Sequence, residues 1–401
     1  MLRTIDTAQL RPGMYVHRLL GPWLKHPFWR TSFLAVSDAV EKLHASPVEQ
    51  LVIDTERGLD LPQGRVPLAM PGGYVRASAQ AADDLAAPPA ASLEAELLQA
   101  RRICLEGRDR IAAMFGEVRM GRAVDPQSAM PMVEDIVGSV TRHPSALVSV
   151  ARLKTADDYT YLHCVATSAL MGMLARKLGL PGEQILEAAM GGLLHDMGKA
   201  RMPLAVLNKP GKLTDEEFAI MQSHPGEGER LLRDSGVDNE AILGVVGLHH
   251  EKFAGGGYPR RLAGEGIPLL ARMAAVCDVY DAITSNRPYK QAWDPGESLR
   301  RMASWEGHFD QSVLHAFVRC LGIYPTGTLV RLSSDQLAVV LEQRASSLLA
   351  PQVRVFYSAA KKRLLPVHDV DLSTSGGELR ITGTESAAQW GFRELEKLWV
   401  P

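Results

Sequence analysis

Five histidines fall between residues 163 and 250: His163, His195, His224, His249 and His250. His195 is followed by Asp196 in GGLLHDMGKA, residues 191–200, where an apolar helical run ends in a histidine, an aspartate and a lysine. A second carboxylate, Asp278, sits inside the apolar stretch LLARMAAVCDVYDAI. A charge there is costly unless it is paired or bound to a metal. A single helical histidine is usually structural or surface-exposed, and His143, His308 and His315 are read that way. The cluster reads differently. Imidazole nitrogens with a shareable carboxylate suit a binuclear site for Mn, Fe or similar metals. Two metals about 3.5–4 Å apart can activate water and clamp a phosphoryl oxygen. Neighbouring helical residues differ by about 100°, so His195 and Asp196 can both reach a cleft near a helix end. Lys199, four residues after His195, falls on the same helical face. It could neutralise developing phosphate charge, or simply complement a helix C-terminus.

The elements that must hold these residues are helices. From about 126 to 320 the apolar spacing is helical in stretch after stretch, including YTYLHCVATSALMGMLARKLG, PGEQILEAAMGGLLHDMG and IPLLARMAAVCDVYDAIT. Thr214 with Glu217 forms a capping box, and Pro225 permits a helix to restart. Clean breaks fall at NKPGK and FAGGGYPRRLAGEG. One all-helical domain is expected.

The flanks differ. GMYVHRLL and VEQLVIDTE predict short strands around a short helix, SDAVEKLHA, giving a small α/β unit over residues 1–61. Residues 62–92 read as linker. From Leu93 to Phe115 a connecting helix is predicted, offering a homodimer contact, with Gly116 and Gly121 loosening the chain after it. Residues 62–125 are therefore linker plus helix. The period changes after Pro325: GTLVRLSS, LAVVLEQ, VRVFYSA and ELRITG predict a β-rich extension over 321–401.

The chain has 401 residues, enough for two or three domains with real cores. Its formal net charge of −2 gives no general attraction to nucleic acid, so an anionic ligand needs a local basic patch. Four cysteines lie far apart with no CxxC pair, which excludes a disulfide scaffold and a cysteine zinc site. The start is too polar for a signal peptide, and no apolar run approaches the ~18–20 residues of a membrane span. A soluble cytoplasmic protein is expected.

The ordered motifs resemble a known family. His195-Asp196 is similar to the HD signature of metal-dependent phosphohydrolases. HHEKFAGGGYP, residues 249–259, with LAGEGIP after it, resembles the GYP segment, and DVYDAITSNRPYK, residues 278–290, completes the set. Together they resemble the HD-GYP domain, over about half the chain. The first sixty residues, through LRPGMYV, PWLKHPF and VIDTERG, are similar to the uncharacterised DUF3391 type. Trp23, Phe28 and Trp29 there read as core rather than as a docking patch.

The resemblance implies a mainly α HD-type fold and hydrolysis of cyclic di-GMP to linear pGpG, with GMP as a further product. It implies two divalent metals, Fe or Mn. His163, His195, Asp196 and Asp278 would hold one, and His224, His249 and His250 the other, with Asp196 bridging and catalytic. Lys199 would contact the scissile phosphate, Arg287 and Lys290 the ligand phosphates, and Tyr258 the guanine cleft. Two positions depart from the family pattern. Tyr159 stands where some members carry a glutamate that supports a third metal, which favours a binuclear site. Ala254 stands in place of the usual aspartate of the GYP segment, which is expected to loosen the loop or slow turnover. Another cyclic dinucleotide such as 3′,3′-cGAMP, or a catalytically weak cyclic di-GMP receptor acting through a signalling partner, are the alternatives.

Overall fold

The computed structural model describes residues 2–20, 33–35, 37–44, 48, 50–55, 57–59, 93–152, 159–285, 292–344, 347–374 and 377–400. They belong to two compact units, Met1–Ala90 and Ala91–Pro401. In the first, β1 (Leu2–Asp6), β2 (Tyr15–Leu20), β3 (Phe33–Leu34) and β4 (Gln50–Asp54) pair antiparallel in the order β1-β4-β2-β3. Helix α1 (Ser37–His44) contributes Val40 and Leu43 to a core with Ile5, Val16, Leu51 and Ile53. The two expected strands are β2 and β4. Trp23, Phe28, Trp29 and the 62–92 stretch lie outside the described residues.

The second unit is mainly helical. It begins with α2 (Leu93–Arg119), α3 (Met130–Arg142), α4 (Pro144–Ala151), α5 (Tyr159–Lys177) and α6 (Gly182–Leu194). It continues with α7 (Leu204–Leu207), α8 (Asp215–Met221), α9 (His224–Asp234), α10 (Glu240–Leu248), α11 (Leu269–Thr284), α12 (Pro295–Ser304) and α13 (Gln311–Leu321). The centre is α5. Every residue from His163 to Ala175 is buried, as a helix apolar on all sides must be. It packs against α2, α3, α4, α6, α11 and α13.

Two boundaries differ from expectation. Gly116 does not end α2, which runs to Arg119 because Phe115 and Val118 are buried on its inner face. Gly121, with φ of +75°, follows its end. The run from Met130 to Leu153 is broken at His143, where Pro144 cannot continue the helix and starts α4 instead. The capping box is present: Thr214 N–H donates to Glu217 Oε2 at 2.7 Å and Glu217 N–H to Thr214 Oγ1 at 3.3 Å.

After α13, β5 (Leu329–Leu332), β6 (Gln336–Arg344), β7 (Ser347–Ser358), β8 (Arg363–Asp371) and β9 (Ile381–Thr384) form an antiparallel sheet in the order β8-β7-β6-β5-β9. Alternation divides its two faces. Val330, Ala338, Val340, Val353 and Val355 fill one core, while Leu329, Leu337, Val339 and Phe356 pack under Trp390, Phe392 and Trp399 on the other. Trp390 ends the short α14 (Ala387–Trp390). Strand β8 is absent from the sequence reading because Pro366 interrupts its pattern. It lies at the sheet edge, where a proline costs no ladder bond.

Candidate metal centre

Most of the selected side chains sit at helix ends. Helix α6 stops at Leu194, and His195 is its C-cap. Asp196 then caps a 3-10 turn, Met197–Arg201. His224 is the first residue of α9, His249 is the C-cap of α10, and His250 follows it. His163 and Asp278 project from the interiors of α5 and α11. Lys199 therefore does not share a helical face with His195, since the 3-10 turn intervenes. The turn brings Lys199 Nζ to 2.6 Å from Asp196 Oδ2 instead.

Glycine allows the close approach. A Cβ on Gly198 would lie 1.9 Å from the carbonyl oxygen of His224 and 2.6 Å from the amide nitrogen of Gly228. The turn carrying Asp196 thus rests directly on the start of α9.

Three imidazoles are tied in the same way. His195, His224 and His249 each hold Nδ1 against the carbonyl three residues earlier: Gly192 at 2.7 Å, Met221 at 2.8 Å and Val246 at 3.0 Å. A neutral ring that donates through Nδ1 presents a lone pair at Nε2. His163 is anchored by Asp281, with Nδ1 to Oδ2 at 2.6 Å, and its Nε2 lies 2.9 Å from Asp278 Oδ1.

These Nε2 atoms surround Asp196. Its Oδ2 is 3.4 Å from His195 Nε2 and 3.8 Å from His163 Nε2, and its Oδ1 is 3.3 Å from His224 Nε2 and 4.0 Å from His249 Nε2. Each carboxylate oxygen faces a different pair of histidines. His224 and His249 bring their Nε2 atoms within 3.2 Å of each other. The His250 ring lies 4.2 Å from the His249 ring and tilted by 45° to it, and the Tyr258 ring lies 4.7 Å from that of His250, tilted by 33°.

The donor set fits metal ions. His195 Nε2 and Asp196 Oδ1 are buried without a hydrogen-bond partner, a costly arrangement for polar atoms. Three donor groups close to within 4.8 Å: His163, His195 and Asp278; His195, Asp196 and His249; His224, His249 and His250. Burial would raise the carboxyl of Asp196, but the charges of His195 and Lys199 hold it well below the usual range. Asp278 is also held well below it, where the His163 hydrogen bond and charge outweigh burial. Burial pushes His249 well down and His250 down to about 3, so both rings are neutral donors near pH 7. At His195 burial is outweighed by Asp196, which favours positive charge there, and a cation at Nε2 answers the same field.

All seven expected ligands are brought together, with Lys199 and Tyr258 at their edge. Arg287 and Lys290 lie outside the described residues. Tyr159 places its ring parallel to His163 at 5.8 Å. Ala254 does not leave its loop untied. The N–H groups of Phe253 and Ala254 donate to the carbonyls of His308 and Gly307, and Ala254 bridges to Ala263.

Two buried carboxylates escaped the sequence reading. Asp281 orients His163, and a second aspartate three residues after Asp278 in the same apolar helix was the available signal. Glu251 accepts from the N–H groups of Arg260 at 2.6 Å and Leu262 at 3.1 Å, holding the glycine-rich loop. It had no distinguishing spacing.

An HD domain model matches residues 131–313, and a domain of unknown function, DUF3391, matches residues 2–129. Cyclic di-GMP phosphodiesterase PA4108 of Pseudomonas aeruginosa is 48% identical over 409 residues, spanning 100% of this chain and 96% of that protein. The cyclic di-GMP phosphodiesterase response regulator RpfG of Xanthomonas campestris is 39% identical over 202 residues, 48% of this chain and 53% of that one. The 3′3′-cGAMP-specific phosphodiesterase 1 of Vibrio cholerae is 31% identical over 191 residues, 47% of this chain and 44% of that one. Among solved structures, Bd1817, an HDG"Y"P protein from Bdellovibrio bacteriovorus, aligns with a TM-score of 0.46 at 16% identity, over 79% of this chain and 98% of that one.

Proposed function

The chain belongs to the HD-GYP family of HD-domain phosphohydrolases, and from that premise we propose that it is a metal-dependent phosphodiesterase that opens cyclic di-GMP to linear pGpG. The observation that carries the reading is Asp196, whose two oxygens face separate histidine pairs in a buried pocket of Nε2 lone pairs. The choice of substrate is supported by full-length similarity to a cyclic di-GMP phosphodiesterase.

In this reading His163, His195 and Asp278 would hold one divalent ion and His224, His249 and His250 a second, with Asp196 available to both. Fe or Mn suits nitrogen-rich, carboxylate-bridged donors. When bound, such ions supply Lewis acidity and lower the pKa of water toward neutrality. The ring of Tyr159 beside His163, in place of a carboxylate, supports two ions rather than three.

The chain's own residues do the rest. Hydrolysis adds the oxygen of water to phosphorus and releases the ribose 3′-oxygen with a proton. Lys199, partly exposed and next to Asp196, is placed to balance charge gathering on the phosphoryl oxygens. Tyr258, ring against ring with His250, lines the approach for a base. Arg287 and Lys290 take the phosphates. Exposed Leu98 and Leu105 on α2 offer the dimer contact. Among the described residues no helix is long and apolar enough to cross a membrane.

The test is turnover by protein prepared without oxygen and loaded with Fe(II) or Mn(II), resolving pGpG from GMP. Metal-dependent pGpG is expected, with GMP appearing slowly. Faster turnover of 3′,3′-cGAMP would reassign the substrate. Tight cyclic di-GMP binding without product, at confirmed metal occupancy, would leave a receptor.

A further inference from the structure

A cavity of about 500 Å³ lies away from the metal centre, where α4, α5 and α13 meet β6. Its volume is typical of small-ligand sites. Its charge is lopsided. Arg152, Arg176, Lys177 and Arg319 line it, and none has a carboxylate within ion-pair distance among the described residues. The lining carboxylate, Glu342, is already shared by Arg344 at 3.0 Å and His143 at 3.3 Å. Asp294 feels the charge of Arg152, but its Oδ1 is engaged in capping α12.

Polar atoms in the wall are also unanswered. Arg152 donates through Nη1 to the Thr326 carbonyl at 2.8 Å, while its Nε is buried with no partner. Tyr280, 1% exposed, lines the same cavity with an unpartnered hydroxyl. Buried donors are seldom left unmade without a reason. An anion accepts from both and balances the four cations, and guanidinium groups match phosphate oxygens in pairs. Val148, Met173 and Leu348 add apolar wall that a bare inorganic ion would leave unused.

We propose that this cavity is a second ligand site, separate from the metal centre, that takes a phosphate ester of mononucleotide size. It stands independently of the phosphodiesterase reading.

Lys177 is exposed and open to acylation, so its protection reports occupancy in the metal-loaded full chain. GMP is expected to slow acetylation of Lys177 by about tenfold relative to Lys361, which is exposed in the turn between β7 and β8 and does not line the cavity. Guanosine and inorganic phosphate at the same concentration are expected to leave it unchanged. The Arg319→Glu variant should abolish the protection while retaining turnover. Unprotected Lys177 in the wild-type chain overturns the site without recourse to a variant. Equal protection by inorganic phosphate overturns the ester reading, and equal protection by guanosine overturns the anion reading.

Discussion

Nδ1 of His163 lies 2.6 Å from Oδ2 of Asp281, and Nε2 of the same ring lies 2.9 Å from Oδ1 of Asp278. One imidazole from α5 is gripped by two carboxylates three residues apart on α11. Asp281 fixes the tautomer and the ring plane, and Asp278 shares the space into which Nε2 points. Such outer carboxylates raise ligand basicity, and their loss typically costs about 10–100-fold in metal affinity. The Asp281→Asn variant should fold and lose metal affinity in that range. Titration of the metal-free protein with Mn(II), read by bound metal per chain, checks this. An unchanged affinity would show that the charge of Asp281 does not support metal binding through His163.

Lys199 Nζ is 2.6 Å from Asp196 Oδ2, yet about a quarter of its side chain remains exposed at the mouth of the centre. A group that only countered Asp196 would affect metal loading, whereas one that meets the phosphate would affect the chemical step. Lys199→Met should lower kcat by about 10²–10³, the scale of losing one charge-stabilising donor, with metal content unchanged. Loss of metal with normal kcat per loaded site would assign Lys199 to Asp196 alone.

Glu96 of α2 is buried and accepts two bonds from Arg142 at the end of α3, at 2.7 and 3.0 Å. Burial alone would raise its carboxyl, but the hydrogen bonds and charge of Arg142, with Ser139, hold it below the ordinary range. A carboxyl depressed on folding adds stability above its unfolded value of about 4.3, and that stability is lost as pH falls through the lower folded value. Glu96→Gln should therefore unfold at a lower temperature than wild type at pH 7, and the gap should narrow below about pH 4. Arg142→Met is the harsher change, because it strands a buried charge, with a cost of about 3–5 kcal/mol. Thermal unfolding across pH decides both, and a gap that does not vary with pH would exclude the charge as its source.

How much of this was legible follows from what each residue must do. His163 and Asp278 stand out in sequence because polar side chains are rare inside apolar helices, while His195, Asp196, His224, His249 and His250 stand out as a cluster of ligating types, and their convergence is what the helices deliver. The geometry that delivers it was less visible. The 3-10 turn after His195 depends on contact between Gly198 and α9, residues 26 apart from His224 backwards, and no local pattern encodes that. Asp281 shows in sequence only as a second acid in the apolar helix of Asp278, and Glu251 looks like any other acid, until the fold shows which ring or loop each holds. Strand β8 was hidden by Pro366, since its edge position is a property of the sheet rather than of the segment. Arg287 and Lys290 lie outside the described residues, so their role rests on the motif.

The contact at Gly198 yields the last prediction. Its Cα hydrogen points at the backbone of α9, and a methyl group there would lie 1.9 Å from the His224 carbonyl and 2.6 Å from the Gly228 amide nitrogen. Both are backbone atoms, so no side-chain rotation relieves the clash and the turn must move off the helix. That movement separates Asp196 from His224, which now lie 3.3 Å apart, while His163, His195 and Asp278 sit on the far side and keep their spacing. Overpacking of this kind costs about 1–3 kcal/mol, less than the stability of most domains. Gly198→Ala should thus fold with a lowered melting temperature and bind about one metal per chain against the two expected of wild type, with phosphodiesterase activity largely lost. Metal content per folded chain is the deciding quantity. Two metals retained at wild-type affinity would mean that Asp196 need not reach the His224 side, and the shared-carboxylate arrangement would have to be abandoned.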